Sequence, residues 1–253
     1  MSVIKLVVTD IDGTLVEVGQ HAPTSAVREA MQAMQAAGVL VAAATARPYE
    51  MAHGLFSEIG LSGPSIFDGG ASIRDVQTGE LLWQNWLSVP RLQEIAAVIL
   101  PHAKMVDFFP VGNMIPASEL NAKELTEDAP YVWAMVEESA VAGIQSELAR
   151  LLGLNVHLGV GRPDEPGLID LQITDTYADK FHAVTELRKL VAATKVQTLA
   201  IGDSSNDMPL FESAGVKIAM GNAIPALKEL ANHTVATVQE DGWAEAMNRF
   251  VLS

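Results

Sequence analysis

No cysteine occurs among the 253 residues, which excludes disulfides, thiolate catalysis and cysteine metal sites and fits a reducing compartment. No apolar run approaches the ~18 residues that span a bilayer. The opening Met-Ser-Val-Ile-Lys passes straight into strand-like sequence, without the charged and apolar regions of a signal peptide. A cytoplasmic address is therefore expected. Basic residues are scarce, with 16 Lys and Arg against 31 Asp and Glu and a formal charge of −15. This balance argues against nucleic acid or an anionic membrane as partner, since both need basic patches. Any anionic substrate would have to be met by local positive charge, from a metal ion, a few Lys or Arg, or backbone N–H groups. The histidines at 21, 53, 102, 157, 182 and 233 form no H-x-x-x-H pair, so a histidine-based zinc site is not expected.

What is present is a globular composition, 49% hydrophobic and 19% charged, long enough for one large domain or two unequal ones. The first third alternates strand and helix. Apolar Val3 to Val8 reads as a strand buried on both faces. Thr24 to Ala37 carries Val27, Ala30, Met31 and Met34 at helical spacing and stops at Gly38. A strand over Val39 to Ala44, a helix over Tyr49 to Ile59 and a strand over Ser65 to Phe67 follow. The last third resumes the rhythm from a helix starting near Asp179 through a strand at Thr198 to Ile201 to a closing helix at Trp243 to Val251. Such alternation implies a largely parallel, doubly wound, Rossmann-like sheet in an α/β core. Roughly 100 residues in the middle break the rhythm, far more than the ~30 of a βαβ unit. They read as an inserted α+β cap domain over residues 79–177, with the core formed by 1–78 and 178–253.

Four polar groups fall at comparable places in this scheme. Asp10 and Asp12 follow the first strand, Thr45 follows the second, and Asp203, Asn206 and Asp207 follow a later one, while Lys180 opens the helix that returns to the core. If those strands are parallel neighbours, all four open on the crevice at the carboxyl end of the sheet. Each alone has an ordinary reading: a strand-end turn for Asp10 to Gly13, a helix-cap cluster for Asp203 to Asp207, and a solvated helix start for Lys180. Together they describe several acids, one amine and one hydroxyl, a set suited to a hard divalent cation such as Mg²⁺. Within it Asp10 is a candidate nucleophile toward phosphorus, and Asp12 a candidate to give and take protons.

The runs Asp10-Ile11-Asp12-Gly13-Thr14-Leu15, Thr45 after strand two, Lys180, and Gly202-Asp203-Ser204-Ser205-Asn206-Asp207 resemble the motifs of the haloacid dehalogenase superfamily of phosphatases. The long insertion and the tail around Met220-Gly221-Asn222-Ala223 resemble its Cof-type subfamily, with a cap of the IIB kind. The resemblance implies an Mg²⁺-dependent phosphatase acting through an aspartyl-phosphate. Asp10 would be the nucleophile, and Asp12 the general acid/base with its backbone carbonyl on the metal. Thr45 and Asn206 would meet the phosphoryl group, and Lys180 would pair with Asp10 and the phosphate. Asp203 would ligate the metal directly, and Asp207 would hold a metal-bound water or Lys180. Arg47 stands where the family has an arginine and is a candidate phosphate binder. The chain departs from the family pattern at Ala46 (usually Gly), at Gly69 (usually Asn) and at Phe181 (often Gly).

The expected activity is hydrolysis of a small phosphorylated metabolite, for instance a sugar phosphate. A phosphomutase or phosphotransferase of the same superfamily is the alternative within enzymes, and a regulatory phosphoacceptor domain the alternative outside them. In the cap, Trp83, Trp86 and Trp133 read as packing residues. Arg162 and Glu165 are candidates for substrate contact, in a Pro-rich loop of the kind that ordinarily faces solvent.

Overall fold

The computed structural model describes residues 4–20, 22–108, 114–159 and 165–253. In chain order the regular elements are β1 (Leu6–Thr9), α1 (Ser25–Ala36), β2 (Leu40–Ala43), α2 (Tyr49–Ile59), β3 (Pro64–Phe67), β4 (Ser72–Asp75) and β5 (Leu81–Gln84). Next come α3 (Val89–Ile99), β6 (Ala103–Phe108), β7 (Ile115–Pro116), β8 (Val132–Glu137), α4 (Val141–Leu148), β9 (Leu154–Leu158) and β10 (Leu168–Asp175). The chain closes with α5 (Lys180–Leu190), β11 (Thr198–Gly202), α6 (Met208–Ser213), β12 (Val216–Ala219), α7 (Pro225–Leu230), β13 (His233–Thr234) and α8 (Gly242–Phe250). Two compact units result, one of the chain up to Trp83 together with Asp179–Ser253, the other Gln84–Ala178. Among the described residues no helix is long and apolar enough to cross a membrane.

The first unit is built on a parallel sheet in the order β13-β12-β11-β1-β2. All four residues of β1 are fully buried, which explains its unbroken apolar and β-branched run. A parallel bridge between Ala44 and Ile66 continues the sheet toward β3, which pairs antiparallel with β4, and β4 in turn neighbours β5. Because β1 lies between β11 and β2, the chain leaves it on one side and returns on the other. That reversal makes the crevice at its carboxyl end a natural ligand position. The helices form where the sequence signals them. Thr24 caps α1 by accepting from the Val27 N–H, and the helix buries Val27, Ala30, Met31 and Met34, the face its spacing marks out. Helix α1 packs with α8, and α5 with α6.

The second unit has a five-stranded antiparallel sheet, β7-β6-β8-β10-β9, with its own core. Leu92, Ile95 and Ile99 of α3 and Ile144 and Leu148 of α4 join Val106, Phe108, Val132, Ala134, Val136, Leu171 and Ile173 of the strands. Its central strand β8 is one the sequence reading does not assign. The run Val132-Trp133-Ala134-Met135-Val136 mixes strand formers with Ala and Met, which favour helix, so local preference is weak and pairing with β6 and β10 decides. The sequence is strand-like over Met105 to Phe109 and Val156 to Val160; the last residue of each run, and the candidate Arg162, lie outside the described residues. Glu165 pairs with Lys104.

Candidate active site

The turn after β1 is constructed around a glycine. Gly13 has φ +83°, and a Cβ there would sit 2.4 Å from the Asp203 carboxylate, so any other residue would be both strained and obstructed. Its N–H donates to the Val16 carbonyl, and the Leu15 and Val16 N–H groups return to the Ile11 carbonyl. This fold-back leaves Asp10 anchored to β11 through its N–H to the Ile201 carbonyl (3.0 Å) and presses Ile11 into the core. Beneath it, the Trp243 indole N–H donates to Thr9 Oγ1 (3.0 Å), and that hydroxyl donates to the Asp10 carbonyl (2.7 Å).

Helix α5 delivers the amine. Gly70, at φ +114°, lets the loop after β3 approach so closely that a Cβ would lie 2.3 Å from the Asp179 carbonyl carbon. Asp179 caps the helix by accepting from the His182 N–H, which fixes Lys180 as its first residue. The Lys180 ammonium is buried and donates to Asp10 Oδ1 at 2.6 Å and to Asp207 Oδ1 at 2.7 Å. The other oxygen of Asp207 accepts from the Asp203 and Ser204 N–H groups at 3.0 and 3.1 Å. Both Asp207 oxygens are thus committed to holding the lysine and the loop.

Asp203 is held more lightly. Thr14 Oγ1 donates to its Oδ1 at 3.5 Å and Asn222 Nδ2 to its Oδ2 at 3.3 Å. Asn222 also donates to the Gly13 carbonyl (2.8 Å) and accepts from the Val238 N–H (3.0 Å), so it ties the first turn to the loop after β12. The sequence reading gives Thr14 and Asn222 no role. Their signal is that both lie within the motif-like runs, on loops at the carboxyl ends of parallel strands.

Carboxylate oxygens of Asp10, Asp203 and Asp207 lie within 4.8 Å of one another, an arrangement able to hold a metal ion. One ammonium faces three acids, and the electrostatics record the imbalance. Burial pushes Asp10 up to about 7, Asp207 and Asp203 add to the rise, and Lys180 opposes it. Burial likewise raises Asp203 to about 6, with Asp207 adding, and Lys180, Thr14 and Asn222 opposing. For Lys180 burial disfavours the charge, but Asp10 and Asp207 outweigh it and hold the amine above the ordinary lysine range. A divalent cation fits such a donor set, because it supplies the missing positive charge to oxygens of Asp10 and Asp203 that Lys180 does not occupy.

Thr45 follows β2 and is buried. Its N–H donates to the Ile66 carbonyl and its carbonyl accepts from the Gly69 N–H, both at 3.1 Å. Its hydroxyl accepts from the Arg47 N–H (3.1 Å), which leaves the hydroxyl proton available for donation. Ala46, where the family pattern has glycine, is not among the residues of positive φ, so the loop has no need of a glycine there. Arg47 pairs with Asp12, Nε to Oδ2 at 3.1 Å and Nη2 to Oδ1 at 2.5 Å. Asn206 is exposed, and its carbonyl accepts from Ser204 Oγ (2.5 Å). The structure thus brings Asp10, Lys180, Asp203 and Asp207 into one cluster and joins Asp12 to Arg47, whereas Asn206 turns to its own loop.

The first unit is thus a parallel α/β sheet with a metal-competent acid cluster at its carboxyl edge, in a chain that a second unit interrupts. Residues 7–130 and 117–247 match the model of the haloacid dehalogenase-like hydrolases, and the chain belongs to that family. It is 26% identical over 249 residues to a phosphoglycolate phosphatase of Methanothermobacter thermautotrophicus, covering 98% of this chain and 99% of that protein. It is 25% identical over 270 residues to the 5-amino-6-(5-phospho-D-ribitylamino)uracil phosphatase YitU of Bacillus subtilis, covering 97% of each. Among solved structures, the subclass IIB sugar phosphatase BT4131 superposes with a TM-score of 0.77 at 21% identity, covering 98% of this chain and all of that one. The family is the one the sequence motifs resemble.

Proposed function

We propose that the protein is an Mg²⁺-dependent phosphatase of small phosphorylated metabolites, such as sugar phosphates, that works through a phosphorylated Asp10. The observation that carries this reading is the buried Asp10 carboxylate, held by Lys180 at 2.6 Å beside Asp203 and Asp207. Phosphatase relatives matched over nearly the whole chain support it. Mg²⁺ would be held by Asp10, Asp203 and the backbone carbonyl of Asp12, and when bound it supplies positive charge to the phosphoryl oxygens.

In the first half-reaction an Asp10 oxygen bonds to phosphorus while the bond from phosphorus to the leaving oxygen breaks. Asp12 gives that oxygen its proton. In the second, Asp12 takes a proton from water as the water oxygen bonds to phosphorus and the bond to Asp10 breaks, which releases orthophosphate. Lys180 keeps Asp10 aimed and neutralises the incoming phosphoryl charge, and Asp207 holds Lys180. Thr45 donates its hydroxyl proton to a phosphoryl oxygen. The insertion acts as a cap that selects the leaving group and excludes water, and the protein works in the cytoplasm.

The test is orthophosphate release from a panel of phosphorylated metabolites with Mg²⁺. Hydrolysis is expected in the wild type and not in Asp10→Asn. Substantial turnover by that variant contradicts the nucleophile assignment, and transfer to an added sugar acceptor in preference to water would make the protein a phosphotransferase.

A further inference from the structure

One pairing is left without a task by the proposed mechanism. The Arg47 guanidinium meets the Asp12 carboxylate through two nitrogens, Nε to Oδ2 at 3.1 Å and Nη2 to Oδ1 at 2.5 Å. Arg47 is itself braced, because its N–H donates to Thr45 Oγ1 and its carbonyl accepts from the Asp68 N–H. The backbone of Asp12 is fixed by the Gly13 turn, but a carboxylate two rotatable bonds away from that backbone is not. A single point charge would attract it without fixing its plane, whereas a two-pronged contact fixes plane and rotation together.

We propose that Arg47 is a positioning residue for Asp12, setting the orientation in which that carboxyl exchanges protons with the leaving oxygen and the attacking water, and is not a phosphate binder. The inference rests on the reading of Asp12 as proton donor and acceptor. Each carboxylate oxygen keeps a lone-pair direction beyond the one the guanidinium takes, so the pairing leaves room for the transferable proton. The pair is partly exposed, with side-chain exposures of 23% and 35%. A pair of that kind adds little to stability, so its removal should alter geometry and leave the fold intact. In the proposed mechanism the phosphoryl charge falls to Lys180, which is buried and bonded to Asp10 and Asp207.

The chemistry separates the two roles for Arg47. An alkoxide needs a proton as its bond to phosphorus breaks, whereas p-nitrophenolate departs without one. In kcat/KM, which reads the steps up to departure of the leaving oxygen and not the shared hydrolysis of the acyl-phosphate, a positioning residue for the acid therefore matters for alkyl phosphates and little for p-nitrophenyl phosphate, while a phosphate binder matters equally for both. The experiment measures kcat/KM of the full-length wild type, Arg47→Gln, Arg47→Lys and Asp12→Asn with Mg²⁺. The substrates are p-nitrophenyl phosphate and the alkyl phosphates glycerol 3-phosphate, glucose 6-phosphate and phosphoglycolate.

For Arg47→Gln the expectation is a fall on the order of 10²-fold for alkyl phosphates and of less than about 10-fold for p-nitrophenyl phosphate. Arg47→Lys, which keeps the charge and loses the fork, should show the same selectivity. Equal losses on both substrate classes, or no loss on either, would overturn the inference. Asp12→Asn reports on the underlying reading separately. If it retains alkyl phosphate turnover, Asp12 is not the acid and the inference falls with it. If its kcat/KM falls selectively for alkyl phosphates while that of the Arg47 variants does not, the acid stands and only the inference fails.

Discussion

Replacing Asp68 with asparagine isolates one buried charge and asks what it costs. Asp68 is 3% exposed. Its Oδ2 accepts from Ser72 Oγ at 2.6 Å, while its Oδ1 is buried without a hydrogen-bond partner. Burial raises its carboxyl to about 6, opposed by the Ser72 hydrogen bond and by Arg74, with Glu50 adding to the rise. A folded value above the unfolded one means that the folded protein prefers the protonated form. The stability contribution is complete below the unfolded value of 3.8 and is lost as pH rises through about 6. Linkage over that shift removes about 1.4 kcal/mol between about pH 5 and about pH 8. Asparagine keeps an acceptor for Ser72, tolerates the left-handed φ of 56° at this position and carries no charge. Urea unfolding of wild type and Asp68→Asn at the two pH values isolates the effect, because all other titrating groups cancel in the difference. The variant should gain about 1.4 kcal/mol on the wild type between about pH 5 and about pH 8. A difference that does not change with pH would refute the account of Asp68 as a buried acid that must ionise against its surroundings.

Lys180→Met removes the ammonium that holds Asp10 and Asp207. It should abolish turnover and lower unfolding stability by about 3–5 kcal/mol, and wild-type stability in a urea titration would count against the buried network. Gly13→Ala places a Cβ where the Asp203 carboxylate sits. It should weaken Mg²⁺ binding, seen as a raised metal concentration for half-maximal rate, and an unchanged value would contradict the close approach. Mg²⁺ at 100 times its dissociation constant should stabilise the wild type by about 2.7 kcal/mol and Asp203→Asn by much less. Equal thermal shifts in the two would remove Asp203 from the metal site, and turnover that survives chelation would remove the metal itself.

The acids and the lysine were legible because their positions follow from strand ends. Once β1, β2 and β11 are parallel neighbours, Asp10, Thr45 and Asp203 must open on one edge, and Lys180 must reach that edge from the helix preceding β11. What strand logic does not carry is which side chain meets which. Arg47 stands where phosphate binding was expected, yet its partner is Asp12, and only the relative height of the two loops determines that. Asn222 joins Gly13 across 209 residues of sequence, a contact that leaves no local periodicity. Asn206 satisfies itself within its own turn through Ser204, as short polar side chains near helix starts commonly do. Asp68 looks like an ordinary turn former, and its burial comes from the packing of the loop it begins. In the insertion, β8 escaped because Ala134 and Met135 blunt its strand preference, and only its two neighbours make it central.

The central claim is that Asp10 takes the phosphoryl group. A rapid-quench reaction with ³²P-labelled substrate and Mg²⁺, in which protein-bound ³²P is counted at the quench and a parallel sample is reduced with tritiated borohydride and peptide-mapped, tests it directly. Reduction of an acyl-phosphate turns aspartate into homoserine, so the account predicts homoserine at position 10 in the wild type, and neither label nor homoserine in Asp10→Asn. Label on any other residue, or full turnover with no acyl-phosphate at Asp10, would contradict it.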